Sequence, residues 1–108
     1  MSRSNVTLGV VAISQNEERD LPCFLDNVMP WVDEVIIVDD GSTDRTREIA
    51  EAAGRNVTFI QSPRREGEYY AAQRNKGIDA ARSDWLIHMD IDERISPALA
   101  DEILAAIR

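Results

Sequence analysis

VIIVDDGSTDRT, residues Val35 to Thr46, runs four β-branched residues into two adjacent carboxylates and then into residues that favour a turn and a helix start. Burying an unpaired charge is costly, so Asp39 and Asp40, where an apolar strand stops, are expected to face a cleft, a cation or a polar ligand.

Outward from this stretch the same grammar repeats. Residues 6–13, 57–60 and 85–89, the last interrupted by His88, are short, largely apolar runs, and they predict strands covered on both faces. Between them lie segments with helical spacing. Leu21, Phe24, Leu25, Val28 and Met29 share one face, with Pro22 in the opening turn. Ile49, Ala50 and Ala53 mark a second helix, capped by Ser42 or Thr43, with Asp44 near its positive end and Gly54 as its stop. A third spans about residues 69–81. A fourth starts at Ser96-Pro97 and carries Leu99, Ile103, Leu104 and Ile107. The order βαβαβαβα predicts an α/β, Rossmann-like, mainly parallel sheet of about four strands, with right-handed crossovers and helices on both faces.

With 108 residues and 44% apolar content, residues 1–108 are expected to form a single domain. The net charge of −8, with Lys76 the only lysine, argues against a nucleic-acid partner, which needs clustered cations. Arg64-Arg65 reads as a solvated loop within the irregular stretch 62–68, a candidate lid. Cys23, the single cysteine, excludes an intrachain disulfide and reads as a buried structural thiol. No apolar run approaches bilayer-spanning length, and residues 1–5 lack the apolar core of a secretory signal, so the default location is cytoplasmic.

Ligand crevices in open parallel sheets lie beyond the carboxyl ends of the strands. Ser14, Gln15, Asn16 and Glu17 follow the first strand, Asp39 to Ser42 the second, and Asp90, Ile91, Asp92 and Glu93 the fourth. Three acidic or amide-rich exits are therefore expected on one rim. In extended backbone, Asp90 and Asp92 point the same way while Ile91 turns inward. Such a pair suits Mg²⁺ or Mn²⁺, which keep waters and are completed by substrate phosphates. The alternative is ordinary turn and cap chemistry before the last helix.

Four blocks, VVAISQNEE, DEVIIVDDGSTDRT, QRNKGIDAA and DWLIHMDIDE, together resemble the nucleotide-sugar-binding, amino-terminal half of a family 2 glycosyltransferase with the GT-A fold, over about residues 6–95. The resemblance implies transfer of a sugar from a nucleotide-diphosphate sugar, a UDP-sugar first, to an acceptor, with inversion. By similarity Ser14, Asn16, Glu17, Asp39, Asp40 and Ser42 hold base and ribose. Arg74 contacts nucleotide or diphosphate, with Asn75 and Lys76 in support. Asp90 and Asp92 form the D-x-D pair, Asp92 as direct metal ligand and Asp90 reaching the ribose, donor sugar or the metal. The first block lacks the family's more usual proline and tyrosine. The family's general base lies on segments beyond this stretch, so the catalytic residue is unassigned, and the chain is expected to be part of a larger domain.

Two other classes compete. A noncatalytic nucleotide- or metal-binding module would self-associate, as a homodimer covering apolar edges. A receiver-type signalling domain has a similar size and an acidic cluster, but it places its acidic pair after the first strand and needs a late lysine. His88, Trp31 and Trp85 read as packing residues, Tyr69 and Tyr70 as packing beside the cleft, and Glu93 as a cap or solvating group for the last helix. Neither G-x-G-x-x-G nor a P-loop is present.

Overall fold

The structure, a computed structural model, describes residues 6–68 and 70–108. Strands and helices alternate as β1 (Leu8–Ser14), α1 (Leu21–Val28), β2 (Glu34–Asp39), α2 (Thr46–Ala52), β3 (Val57–Gln61), α3 (Tyr70–Ala80), β4 (Trp85–His88) and α4 (Pro97–Ile107). All pairings are parallel, in the order β3-β2-β1-β4. The chain steps one way from β1 to β3, then crosses back to lay β4 on the other side of β1. That reversal opens a crevice between the carboxyl ends of β1 and β4.

Side-chain alternation divides the core between the two sheet faces. Val10 and Ala12 of β1 and Val35 and Ile37 of β2 pack against Leu21, Phe24, Leu25 and Val28 of α1 and Ala50 of α2. Val11, Ile36 and Val38 face α3 instead. Gly77 makes that second contact close: a Cβ there would lie 2.5 Å from Val11 Cγ1. Helices therefore cover both faces, as the alternation predicts.

Several local readings change. Only β1 and β2 are buried along nearly their whole length, because β3 and β4 are the edges of the sheet and keep partly exposed residues. Trp85 on β4 is 53% exposed rather than packed, whereas Trp31 packs against the core and donates its indole N–H to the Asn27 carbonyl. Cys23 is exposed, since it lies off the apolar stripe of α1. Neither Ser42 nor Thr43 caps α2: the cap position is Arg45, which makes no side-chain cap bond, and Asp44 just before it steadies the helix entry, its Oδ1 accepting from the Thr46 N–H (2.9 Å) and hydroxyl (2.5 Å). Ser96 caps α4 as expected, accepting from the Leu99 N–H. Tyr69 lies outside the described residues.

Candidate functional site

The end of β2 answers the question its two acids raise. Asp39, 1% exposed, accepts from Ser14 Oγ (2.6 Å) and Ser42 Oγ (2.5 Å) through Oδ1, and from the Ser42 N–H (2.7 Å) through Oδ2. Three donors offset the cost of taking this carboxylate out of water. Ser42 Oγ accepts from the Asn16 N–H (2.8 Å), and Asn16 Oδ1 accepts from the Thr43 N–H (2.8 Å). Gly41, at φ +74°, supplies the left-handed turn that lets the backbone close this ring. Ser14, Asn16, Asp39 and Ser42 thus form a knot that fixes the β1 and β2 exits relative to each other.

Asp40, 8% exposed, has a different partner. Its Oδ1 accepts from the Arg64 N–H (2.6 Å) and its Oδ2 from Arg64 Nε (3.0 Å). Burial alone would raise this carboxyl, but the two Arg64 hydrogen bonds and its charge outweigh that and hold it below the usual aspartate range. Arg64 also lies 4.1 Å from the centroid of the Tyr70 ring. Arg64 is therefore no solvated charge, because the buried Asp40 captures it; Arg65 remains exposed.

Helix α3 divides its block by face. Gln73 is fully buried and donates to the Ser62 carbonyl (2.5 Å), and Lys76 Nζ donates to Ser62 Oγ (2.6 Å) and Gln73 Oε1 (3.2 Å). These two tie α3 to the exit of β3. Arg74 is exposed and takes part in none of the ion pairs among the described residues. Asn75 is exposed and away from the cleft lining.

After β4 the chain turns instead of staying extended. Ile91 is buried, as expected, and anchors the turn, while Asp90 and Asp92 stay exposed. Glu93 does not serve the last helix: its Oε1 accepts from the Asp90 N–H (2.7 Å) and closes the turn. Arg94 braces the same turn by donating to the Ile91 and Glu93 carbonyls, 2.7 Å each. Glu17 approaches from β1, and its carboxyl is raised by burial first and then by the charges of Asp20, Asp92 and Asp44. The exits of β1 and β4 thus share one electrostatic neighbourhood.

A cleft of about 380 Å³ opens at this rim, lined by Ile13, Gln15, Glu17, Asp40, Tyr70, Arg74, His88 and Asp90. The strand exits converge as the sequence predicts. Glu17, Asp40, Arg74 and Asp90 face the cleft, whereas Ser14, Asn16, Asp39, Ser42, Asn75, Lys76 and Asp92 do not line it. His88 is exposed on this wall rather than packed, because β4 is an edge strand. Gln15 lies on the rim where the sequence places it, though without an assigned role, whereas Arg64 reads as solvated in the sequence, which carries no signal of its pairing with Asp40. The spacing of Tyr70 and Arg74, four apart on one face of α3, was the available signal for the aromatic wall. A larger groove of about 740 Å³ between α1 and α2 lies away from the strand exits and is mostly apolar at its base.

No group of three His, Cys, Asp or Glu residues able to hold a metal occurs among the described residues. Asp90 and Asp92 are two exposed carboxylates on a braced turn. They fit a Mg²⁺ or Mn²⁺ ion that takes its remaining oxygens from water and a ligand's phosphates, and they do not fit a self-sufficient protein cage.

Comparison with known proteins agrees with this geometry. The model of glycosyl transferase family 2 matches residues 10–108. An uncharacterized glycosyltransferase of Rickettsia bellii is 34% identical over 91 residues, covering 84% of this chain and 29% of that protein. The crystal structure of S. aureus TarS 1-349 superposes with a TM-score of 0.77 at 23% identity, over 93% of this chain and 32% of that one, a likeness of fold. Glucosyl-3-phosphoglycerate synthase from Mycobacterium tuberculosis, solved with Mn²⁺, UDP and glucosyl-3-phosphoglycerate, superposes with a TM-score of 0.60 at 32% identity, over 80% of this chain and 33% of that one. The chain spans about a third of the length of these proteins. Four motif blocks in order, a parallel sheet with its switch point beside a polar cleft, and a family match over almost the whole chain agree: this chain belongs to glycosyl transferase family 2.

Proposed function

We propose that the chain is the donor-binding part of a metal-dependent, inverting glycosyltransferase that takes its sugar from a nucleoside-diphosphate sugar, UDP-linked by preference, and delivers it to an acceptor hydroxyl. The observation that carries this reading is the meeting of Asp90, Glu17 and Arg74 on one cleft at the β1/β4 switch point, with Asp92 beside them.

Asp90 and Asp92 hold a divalent cation. When bound, that cation neutralises the diphosphate and acts as a Lewis acid as the sugar–phosphate bond breaks. Arg74 adds a permanent charge with several donors for the phosphate oxygens. The knot of Ser14, Asn16, Asp39 and Ser42 holds the β1 and β2 exits at fixed separation, and pre-set geometry of this kind lowers the ordering cost of binding. Lys76 anchors α3, which carries Arg74. UDP and Mn²⁺ in the M. tuberculosis neighbour support the choice of nucleotide and ion.

Calorimetric titration with UDP, GDP, CDP and ADP, each with and without Mn²⁺, tests the reading. The expected result is metal-dependent binding with UDP preferred, and loss of the metal-dependent part in Asp92→Ala. Absence of metal-dependent binding for all four nucleotides would overturn it.

A further inference from the structure

Arg64 and Tyr70 form a built feature that the roles above leave unexplained. Tyr70 is the first residue of α3, lines the cleft, and is 52% exposed. One side of its ring carries the Arg64 guanidinium at 4.1 Å. Arg64 is in turn gripped by both oxygens of Asp40, which is buried at the end of β2. A rigid strand thus fixes a carboxylate, the carboxylate fixes a guanidinium, and the guanidinium backs an aromatic ring. A half-exposed ring held against a cation at the mouth of a polar cleft is arranged to receive a flat, partly apolar group.

Resting on the donor-binding reading, we propose that Tyr70 is the stacking platform for the nucleobase, and that Arg64, oriented by Asp40, is a positioning residue that holds the ring for it. Position supports this assignment. Asp40 leaves β2 and Asp90 follows β4, two strand spacings apart in the order β3-β2-β1-β4, or about 10 Å. The carboxylates that suit a cation lie at the β4 side, and the aromatic ring lies with Asp40 at the β2 side. A nucleoside diphosphate laid across β1 then puts its base on Tyr70 and its phosphates near Asp90. Both Asp40 oxygens already accept from Arg64, so Asp40 acts on the base through Arg64 and Tyr70. Every base has a π-face, so stacking on Tyr70 contributes affinity without selecting the base, and selection falls to other groups on the cleft.

The test titrates the 108-residue chain with three probes in the presence of Mn²⁺: UDP, ADP and inorganic pyrophosphate. Wild type is expected to bind UDP more tightly than pyrophosphate. Tyr70→Ala should weaken UDP and ADP alike, by roughly tenfold to a hundredfold, the range of base–aromatic stacking, and leave pyrophosphate unchanged. Tyr70→Phe should restore the loss. Arg64→Met should give a smaller loss confined to the two nucleotides, with Arg64→Lys intermediate. Circular dichroism of each variant separates these effects from unfolding, and Tyr70→Leu, which keeps apolar bulk without a ring, carries the comparison if Tyr70→Ala does not fold. Nucleotide affinity unchanged in Tyr70→Ala, or lowered equally for pyrophosphate, would overturn the stacking assignment while leaving the donor-binding reading in place. A wild type that binds none of the three probes would overturn both.

Discussion

The two ends of the sheet use the same residue types to opposite purposes. At the amino end, Asp33 Oδ2 accepts from the Leu8 N–H (2.8 Å), and Asp84 Oδ2 accepts from the Thr7 N–H (2.9 Å) and hydroxyl (3.1 Å). Glu34 Oε2 accepts from the N–H groups of Arg82 (2.9 Å) and Ser83 (2.6 Å) and from the Ser83 hydroxyl. All three acids tie strand starts together. At the carboxyl end, Asp39, Asp40 and Asp44 are consumed in the same way, but no side-chain oxygen of Asp90 or Asp92 accepts a hydrogen bond among the described residues. The fold does not need those two carboxylates, which is why they are open to a ligand.

Substitutions at the two ends should therefore separate binding from stability. The largest expected effect is on binding. Asp92→Ala should weaken Mn²⁺-dependent UDP affinity by at least about 100-fold, the upper end of what even outer partners of a metal site contribute, with the melting temperature nearly unchanged. Glu34→Ala, at the amino end, should do the reverse. It strands the Arg82 and Ser83 N–H groups and should lower stability by about 1–3 kcal/mol in urea denaturation, with UDP affinity in the folded protein unchanged. Equal effects of these two variants on both readouts would dissolve the comparison.

Acid should probe the consumed carboxylates. Asp40 and Asp44 are both held below the usual range: burial pushes each up, and the hydrogen bonds from Arg64 to Asp40, and from Thr46 and Glu18 to Asp44, outweigh it. Their folded pKa values lie below the unfolded one, so their contribution is fully present above about pH 4 and disappears as pH falls through the folded values. Urea midpoints measured from pH 6 to pH 2 should drop; Asp44→Asn, which keeps an Oδ1 acceptor but cannot ionise, should flatten the drop, and Asp44→Ala should lower stability at pH 6 by about 0.5–2 kcal/mol by also removing the acceptor for Thr46.

Glu17 should show the smallest effect and the opposite sign. Its carboxyl is raised, by burial and then by neighbouring acids, so its ionised form disfavours the fold above the folded pKa, and the penalty fades as pH falls. Glu17→Gln should raise stability at pH 7 by no more than about 0.5 kcal/mol, with the gain vanishing near pH 4. Adding Mn²⁺ to wild type should reduce the same gain, because a cation near Asp92 relieves Glu17.

Much of this architecture was legible because its signals are local. Apolar runs of four to eight residues, a proline in a first turn and a serine before Pro97 each act within a few positions, and the elements appear where those signals fall. The gathering of three strand exits was also readable, since parallel alternation leaves the carboxyl ends together. Less legible was the state of each side chain at that rim. Arg64 looked solvated in the sequence because its partner lies 24 positions earlier, and His88 and Trp85 looked packed because nothing local marks β4 as an edge.

The sequence by itself determined the alternation of strands and helices, the inward Ile91, and the family to which the four blocks point. The tertiary structure alone decided the strand order β3-β2-β1-β4, the pairing of Asp40 with Arg64, and the freedom of Asp90 and Asp92. The physical reason is range. Backbone preference and hydrophobic periodicity are written over neighbouring residues, whereas the partner of a carboxylate is fixed only when distant strands pack and a buried charge must find its donor.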